Sequence, residues 1–147
     1  MKKLFTILVS LLVTASVYSQ TYNVNTFYAE LGGYVIQISP NGKHGLVVAT
    51  QDQGISNWYE ANDLLSNPSN HDADGKEFLD WRLPTKRELN LVYLIYNIGN
   101  RAITNVNLYW SSTESDSGSA WAQSFANGNQ SDPTKYNANS VRAVRDF

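Results

Sequence analysis

The chain has no cysteine, only 4 prolines and one methionine in 147 residues, and two histidines, His44 and His71. Without cysteine there is no disulfide framework, no thiol nucleophile and no site for a cysteine-borne lipid. With so few histidines, a His-based zinc centre or catalytic triad lacks convergent partners. Basic residues are also scarce: 11 Lys and Arg stand against 13 Asp and Glu, a net charge of −2. That balance argues against nucleic acid, and against any polyanion held by bulk charge. No apolar run reaches the ~20 residues that cross a bilayer, so no membrane span is expected.

What is present begins with a targeting pattern. Met1-Lys2-Lys3 is a positive lead, Leu4 to Val13 is apolar, and Val17-Tyr18-Ser19 supplies a cleavage site. This order reads as a secretory signal peptide over residues 1–19, cleaved before Gln20, with a secreted or periplasmic product. Removing Lys2 and Lys3 leaves nine basic against thirteen acidic residues, a net charge of −4. Residues 20–31 read as a polar lead-in segment and residues 32–147 as one domain, large enough for a single core.

Local patterning then orders the elements. Tyr34 to Ser39 and Gly45 to Thr50 are β-branched runs flanking Pro40-Asn41-Gly42-Lys43, a strong hairpin signal. The four apolar residues Leu46 to Ala49 imply cover on both faces. Ser56 offers an N-cap to a helix with Trp58, Ala61, Leu64 and Leu65 on one face, closed by Asn67-Pro68. Ser66 to Lys76 reads as loop. Pro84 biases Leu83 to extended backbone, and Thr85 with Glu88 has capping-box spacing for a helix that runs to Gly99. Few polar residues follow Asn90, which points to deep burial of that helix. Tyr109 to Thr113, Ala120 to Ala126 and Ser140 to Arg145 read as strands. Two strands, two helices and three strands make an α+β fold.

Four strings together carry a family resemblance: Gly42-Lys43-His44-Gly45-Leu46-Val47-Val48-Ala49, Trp81-Arg82-Leu83-Pro84-Thr85, Tyr109-Trp110-Ser111-Ser112-Thr113-Glu114, and Val141-Arg142-Ala143-Val144-Arg145. They resemble the C-terminal domain of the Legionella collagen-like adhesin and the Fibrobacter major paralogous domain, a group largely of unknown function. The resemblance implies a C-type lectin-like fold: small antiparallel sheets, two helices, paired first and last strands, and long loops that carry the ligand. It also implies binding of a glycan or extracellular protein in adhesion, with sulfated glycan or matrix as the best-known ligand. No collagen-like repeat is present, and the oligomeric state stays open. The Arg-Leu-Pro-Thr string also resembles formylglycine-generating and sulfatase-modifying enzymes, which would imply an enzyme reliant on cysteine or metal. A structural cell-surface component is the third reading.

Candidate residues follow from the loops. Arg101, Glu114, Asp116, Asn127, Asn129, Gln130 and Asp132 supply donors and acceptors suited to a hydroxyl-rich ligand, and are the expected ligand-binding set. Solvated turns use the same residue types. Asn70, Asp72 and Asp74 before Gly75 match the start of a calcium loop, but position 12 would be Trp81, where such a loop places glutamate. An Asx-turn loop fits the same string, and no cofactor or metal is expected. Trp58, Trp81, Trp110 and Trp121 could form a sugar platform, although helix-face and strand positions favour the core. Arg82, Glu88, Glu114, Arg142 and Arg145 read as structural ion pairs rather than an acid–base set, since arginine does not shuttle protons. The expected class is a non-catalytic binding module.

Overall fold

The computed structural model describes residues 21–100 and 105–147. The expected signal peptide of residues 1–19, its cleavage point at Gln20, and Arg101 lie outside the described residues. In chain order the strands and helices are β1 (Phe27–Tyr28), β2 (Gly33–Ile38), β3 (Gly45–Val48), β4 (Gly54–Ser56), α1 (Ala61–Ser66), α2 (Lys86–Asn97), β5 (Leu108–Glu114), β6 (Ala120–Ser124), β7 (Gln130–Ser131), β8 (Asn139–Val141) and β9 (Val144–Asp146). One sheet has the order β1-β2-β3-β9 and the other β4-β8-β5-β6-β7. The fold is α+β. All pairings are antiparallel except β5 with β8, so the second sheet is mixed.

The hairpin and the second helix form where local sequence places them. Gly42 turns the β2–β3 connection at φ 69°, and the Asn41 carboxamide oxygen accepts from Ser39 Oγ at 2.6 Å and Lys43 N at 3.0 Å. A left-handed glycine after asparagine suits that turn. At the start of α2, Thr85 Oγ1 accepts from Glu88 N at 3.2 Å, and Glu88 Oε2 accepts from Thr85 N at 2.8 Å. Both halves of the capping box are present. Burial of α2 is one-sided: Leu89, Val92 and Ile95 are interior, while Leu94 and Ile98 face solvent.

Three expectations are corrected. The last strand pairs with β3, the return strand of the hairpin, rather than with the opening strand β2. A strand apolar on both faces belongs in a sheet's interior, and β3 takes that place between β2 and β9. The run from Ser140 to Arg145 is two strands in two sheets, broken at Arg142 and Ala143. There Ala143 N donates to the Gln53 side chain at 2.6 Å and Ala143 O accepts from Ala49 N at 3.0 Å, so other partners replace a ladder. Ser56 lies in β4, not at a helix start. Asn57 Oδ1 instead accepts from Glu60 N at 3.0 Å, and α1 begins only at Ala61, which leaves Trp58 in the preceding turn.

Successive strand residues feed two hydrophobic clusters. Val35, Val47 and Trp110 belong to one, with Trp81, Leu65 and Val141; Ile36, Val48 and Tyr109 belong to the other, with Leu89, Val92 and Phe125. The period of two along a strand produces that split. The lead-in is tied in as well: β1 pairs with β2, and the Tyr22 ring meets Tyr28 and Phe147 edge-on at 4.9 and 5.0 Å.

Candidate ligand-binding cleft

A cleft of about 520 Å³ opens where the turn before α1 faces the entry to α2. Trp58, Tyr59, Asn62, Arg82, Leu83, Thr85 and Ser112 line it. Trp58 is pinned at both its polar ends: its backbone N–H donates to Lys135 O at 2.9 Å and its indole N–H to Ser111 O at 2.8 Å. Tyr59 stands edge-on to Trp58 at 5.8 Å, and Tyr136 leans against Tyr59 at 5.5 Å. Tyr59 is 51% and Tyr136 77% exposed, so two phenol rings extend the aromatic surface from the cleft into solvent.

Beneath these rings lies a buried cation. Lys135 is only 2% exposed. Its ammonium donates to the Glu114 carboxylate and to Ser117 O at 3.0 Å, and stands 4.6 Å from the centre of the Trp58 ring. A buried ammonium is costly unless its protons find partners. Here a carboxylate, a carbonyl and an aromatic face supply them, and the same contacts tie the β5–β6 turn to the tryptophan.

The opposite wall comes from the Trp-Arg-Leu-Pro-Thr string. Arg82 grips Glu88 with two nitrogens at 2.8 and 3.1 Å and reaches Asp146 at 2.9 Å. The hydrogen bond that Arg82 donates to Glu88 foremost, against the opposing pull of burial, raises the pKa of the guanidinium. Burial pushes the Glu88 carboxyl upward, but hydrogen bonds from Arg82 and Thr85 outweigh it and hold the carboxyl below its ordinary value. Ser112 N donates to Pro84 O at 2.8 Å, which locks the string against β5.

A second cavity of about 530 Å³ shares Thr85 with the first and is lined also by Lys86, Arg87, Asn90, Thr113 and Gln130. The Lys86 ammonium stands 2.9 Å from the centre of the Trp121 ring, its backbone N–H donates to Thr113 Oγ1 at 2.9 Å, and its carbonyl accepts from Gln130 Nε2 at 3.2 Å.

The structure distributes the expected ligand-binding residues rather than gathering them. Glu114 ends β5 and holds Lys135, and Asp116 caps the β5–β6 turn by accepting from Gly118 N at 2.7 Å. Asn127 and Asn129 occupy the β6–β7 turn, where Asn127 Oδ1 accepts from Asn129 N at 3.0 Å. The five residues of β6, about 17 Å of strand, separate those two turns. Gln130 lines the second cavity, and Asp132 lies exposed beyond β7. Among the described residues the expected set thus lies at both ends of β6 and along and beyond β7, rather than in one loop.

Other candidates resolve individually. Trp110 and Trp81 are core residues, with indole N–H groups donating to Ser56 O at 3.0 Å and Gly75 O at 2.8 Å. Trp58 and Trp121 are only partly buried; Trp58 lines the first cleft, and Trp121 lies under the ammonium of Lys86, which lines the second cavity. In the Asn70–Asp74 loop, Asp72 Oδ1 accepts from Gly75 N at 2.7 Å and Oδ2 accepts from Thr50 Oγ1, the bonding of an Asx turn. His44 is exposed in the hairpin turn, and His71 is buried, stacked 5.2 Å from Trp81. The arginines pair as a scaffold: Arg82 with Glu88 and Asp146, Arg142 with Asp52, Arg145 with Asp80. Sequence reasoning missed Tyr59, Tyr136 and the buried Lys135. The available signal was an aromatic isolated in a polar string, Thr134-Lys135-Tyr136-Asn137-Ala138-Asn139, where no core period calls for one.

A family model described as the Lcl C-terminal domain matches residues 17–145. No curated protein matches the chain.

Proposed function

The chain belongs to the Lcl C-terminal domain family, an adhesin-like group, and from that premise we propose an exported, non-catalytic module that binds a glycan. The observation that carries this reading is the aromatic surface of half-buried Trp58 and exposed Tyr59 and Tyr136 at the mouth of a cleft with a few polar groups on its lining. Aromatic faces pack against the apolar side of a sugar ring, and a few fixed polar groups orient its hydroxyls. Asn62, Thr85 and Ser112 on the lining supply such groups. Export is supported by the leader pattern of residues 1–19.

The test is a glycan and matrix-protein array probed with wild type and with the Tyr59→Ala/Tyr136→Ala double variant. Both rings are largely exposed, so stability should stay within about 0.5 kcal/mol of wild type per substitution. Glycan binding should be lost in the double variant. Retained binding would overturn the assignment of the cleft, and binding confined to matrix proteins would overturn the glycan.

A further inference from the structure

Resting on the reading that the aromatic cleft takes a glycan, we infer that its ligand is an uncharged one, selected against anionic sugars by the cleft's own side chains. Among the described residues lining the cleft, Arg82 alone is charged. It faces two carboxylates, Glu88 at 2.8 Å and Asp146 at 2.9 Å, so that group carries a net charge of −1. The cation beneath the rings is also matched, since Lys135 is paired with Glu114. Glu60, exposed and next to Tyr59 in the chain, adds a further negative charge.

A sulfate, phosphate or carboxylate entering this cleft would shed water without gaining a free cation, because the one lining charge, Arg82, is already held by Glu88 and Asp146. Desolvated anions need paired cations, so such a ligand is disfavoured. A neutral sugar meets no such obstacle. Its hydroxyls find the Asn62 amide, which donates and accepts, the Thr85 hydroxyl, which accepts from Glu88 N at 3.2 Å and keeps its proton to donate, and the Ser112 oxygen, an acceptor while its own proton goes to Pro84 O at 3.4 Å. The rings also suit it. Trp58 and Tyr59 are inclined by 84°, and Tyr59 and Tyr136 by 54°. They form a corner, in which one ring stacks on a sugar face while the next closes its edge.

Among the described residues, a cation with no carboxylate on it lies in the neighbouring cavity. Arg87 is exposed and lines the neighbouring cavity with Lys86, so anion binding, where it occurs, has a distinguishable address.

The experiment measures affinity by calorimetry at 50 and 500 mM NaCl for two sets of probes. One set is neutral hexasaccharides of glucose, mannose and N-acetylglucosamine; the other is a heparin-derived hexasaccharide. Wild type, Tyr136→Ala and Arg87→Ala are compared, with thermal melts to confirm folding. At least one neutral probe should bind, with affinity changed by less than about twofold across the salt range. Tyr136→Ala should weaken it by about tenfold or more, as for an aromatic anchor, and Arg87→Ala should leave it unchanged. Several results would overturn the inference. Heparin-hexasaccharide binding that falls steeply with salt and is lost in Tyr136→Ala would overturn neutrality while leaving the glycan cleft standing. Binding lost in Arg87→Ala but kept in Tyr136→Ala would move the ligand to the neighbouring cavity and overturn both. Failure of every neutral probe would overturn neutrality, and neutral binding indifferent to Tyr136→Ala would overturn the cleft.

Discussion

Arg142 and Lys135 are each 2% exposed and each holds a carboxylate, yet the regions around them differ. Arg142 sits where the chain passes from the five-stranded sheet to the four-stranded one. It meets Asp52 at 2.7 Å and donates to Ala49 O at 2.9 Å. Asp52 is itself mostly buried, and its other oxygen accepts from Tyr109 Oη at 3.0 Å and from Asn105. Every partner of this cation is part of the frame. Around Lys135 the contacts open outward: the Glu114 side chain is 55% exposed, and the rings above the ammonium reach solvent. A buried cation with a buried counter-ion fastens sheets to one another. One whose counter-ion still touches water sets the posture of a surface.

The contrast can be broken most forcefully at Arg142. Arg142→Met leaves Asp52 largely buried with its cation gone, and should cost about 3–5 kcal/mol. A denaturant midpoint close to wild type would show that the pair does not hold the sheets together. Lys135→Met should cost less, about 1–2 kcal/mol, because Glu114 is free to hydrate and only the charged hydrogen bonds are lost. The same variant should weaken ligand binding at the cleft while the fold persists. A loss as large as that at Arg142, or none in binding, would erase the distinction.

The smallest effect sharpens the comparison through pH. Burial, and after it the charge of Asp52, push the Tyr109 phenol above its ordinary value. As pH rises past about 10 the unfolded chain releases this proton while the folded chain keeps it. The contribution is fully present below that pH and declines above it, by at most about 1.4 kcal/mol per pH unit. Tyr109→Phe should therefore show a shallower fall in urea midpoint between pH 9 and 11 than wild type. Equal slopes would mean that the Asp52 cluster does not hold the phenol neutral.

What the sequence determined by itself is what short-range chemistry decides. The β2–β3 hairpin follows from Asn41-Gly42, and α2 from Pro84, Thr85 and Glu88, because each rests on hydrogen bonds between residues at most a few positions apart. The α+β class follows from the order of such segments. The family-bearing strings were legible too, since Arg82 and Glu88 act six residues apart. Tertiary structure decided the rest. Whether Ser140 to Arg145 is one strand or two depends on Gln53 and Ala49, some ninety residues away, offering Ala143 better partners than a continued ladder. The cleft likewise joins Trp58, Arg82 and Ser112, with Tyr136 at its rim. Its character turns on a lysine that composition alone assigns to the surface, and only the converging carboxylate, carbonyl and indole make that lysine's burial affordable. Separations of that length leave no periodic trace, so the cleft emerged from packing alone.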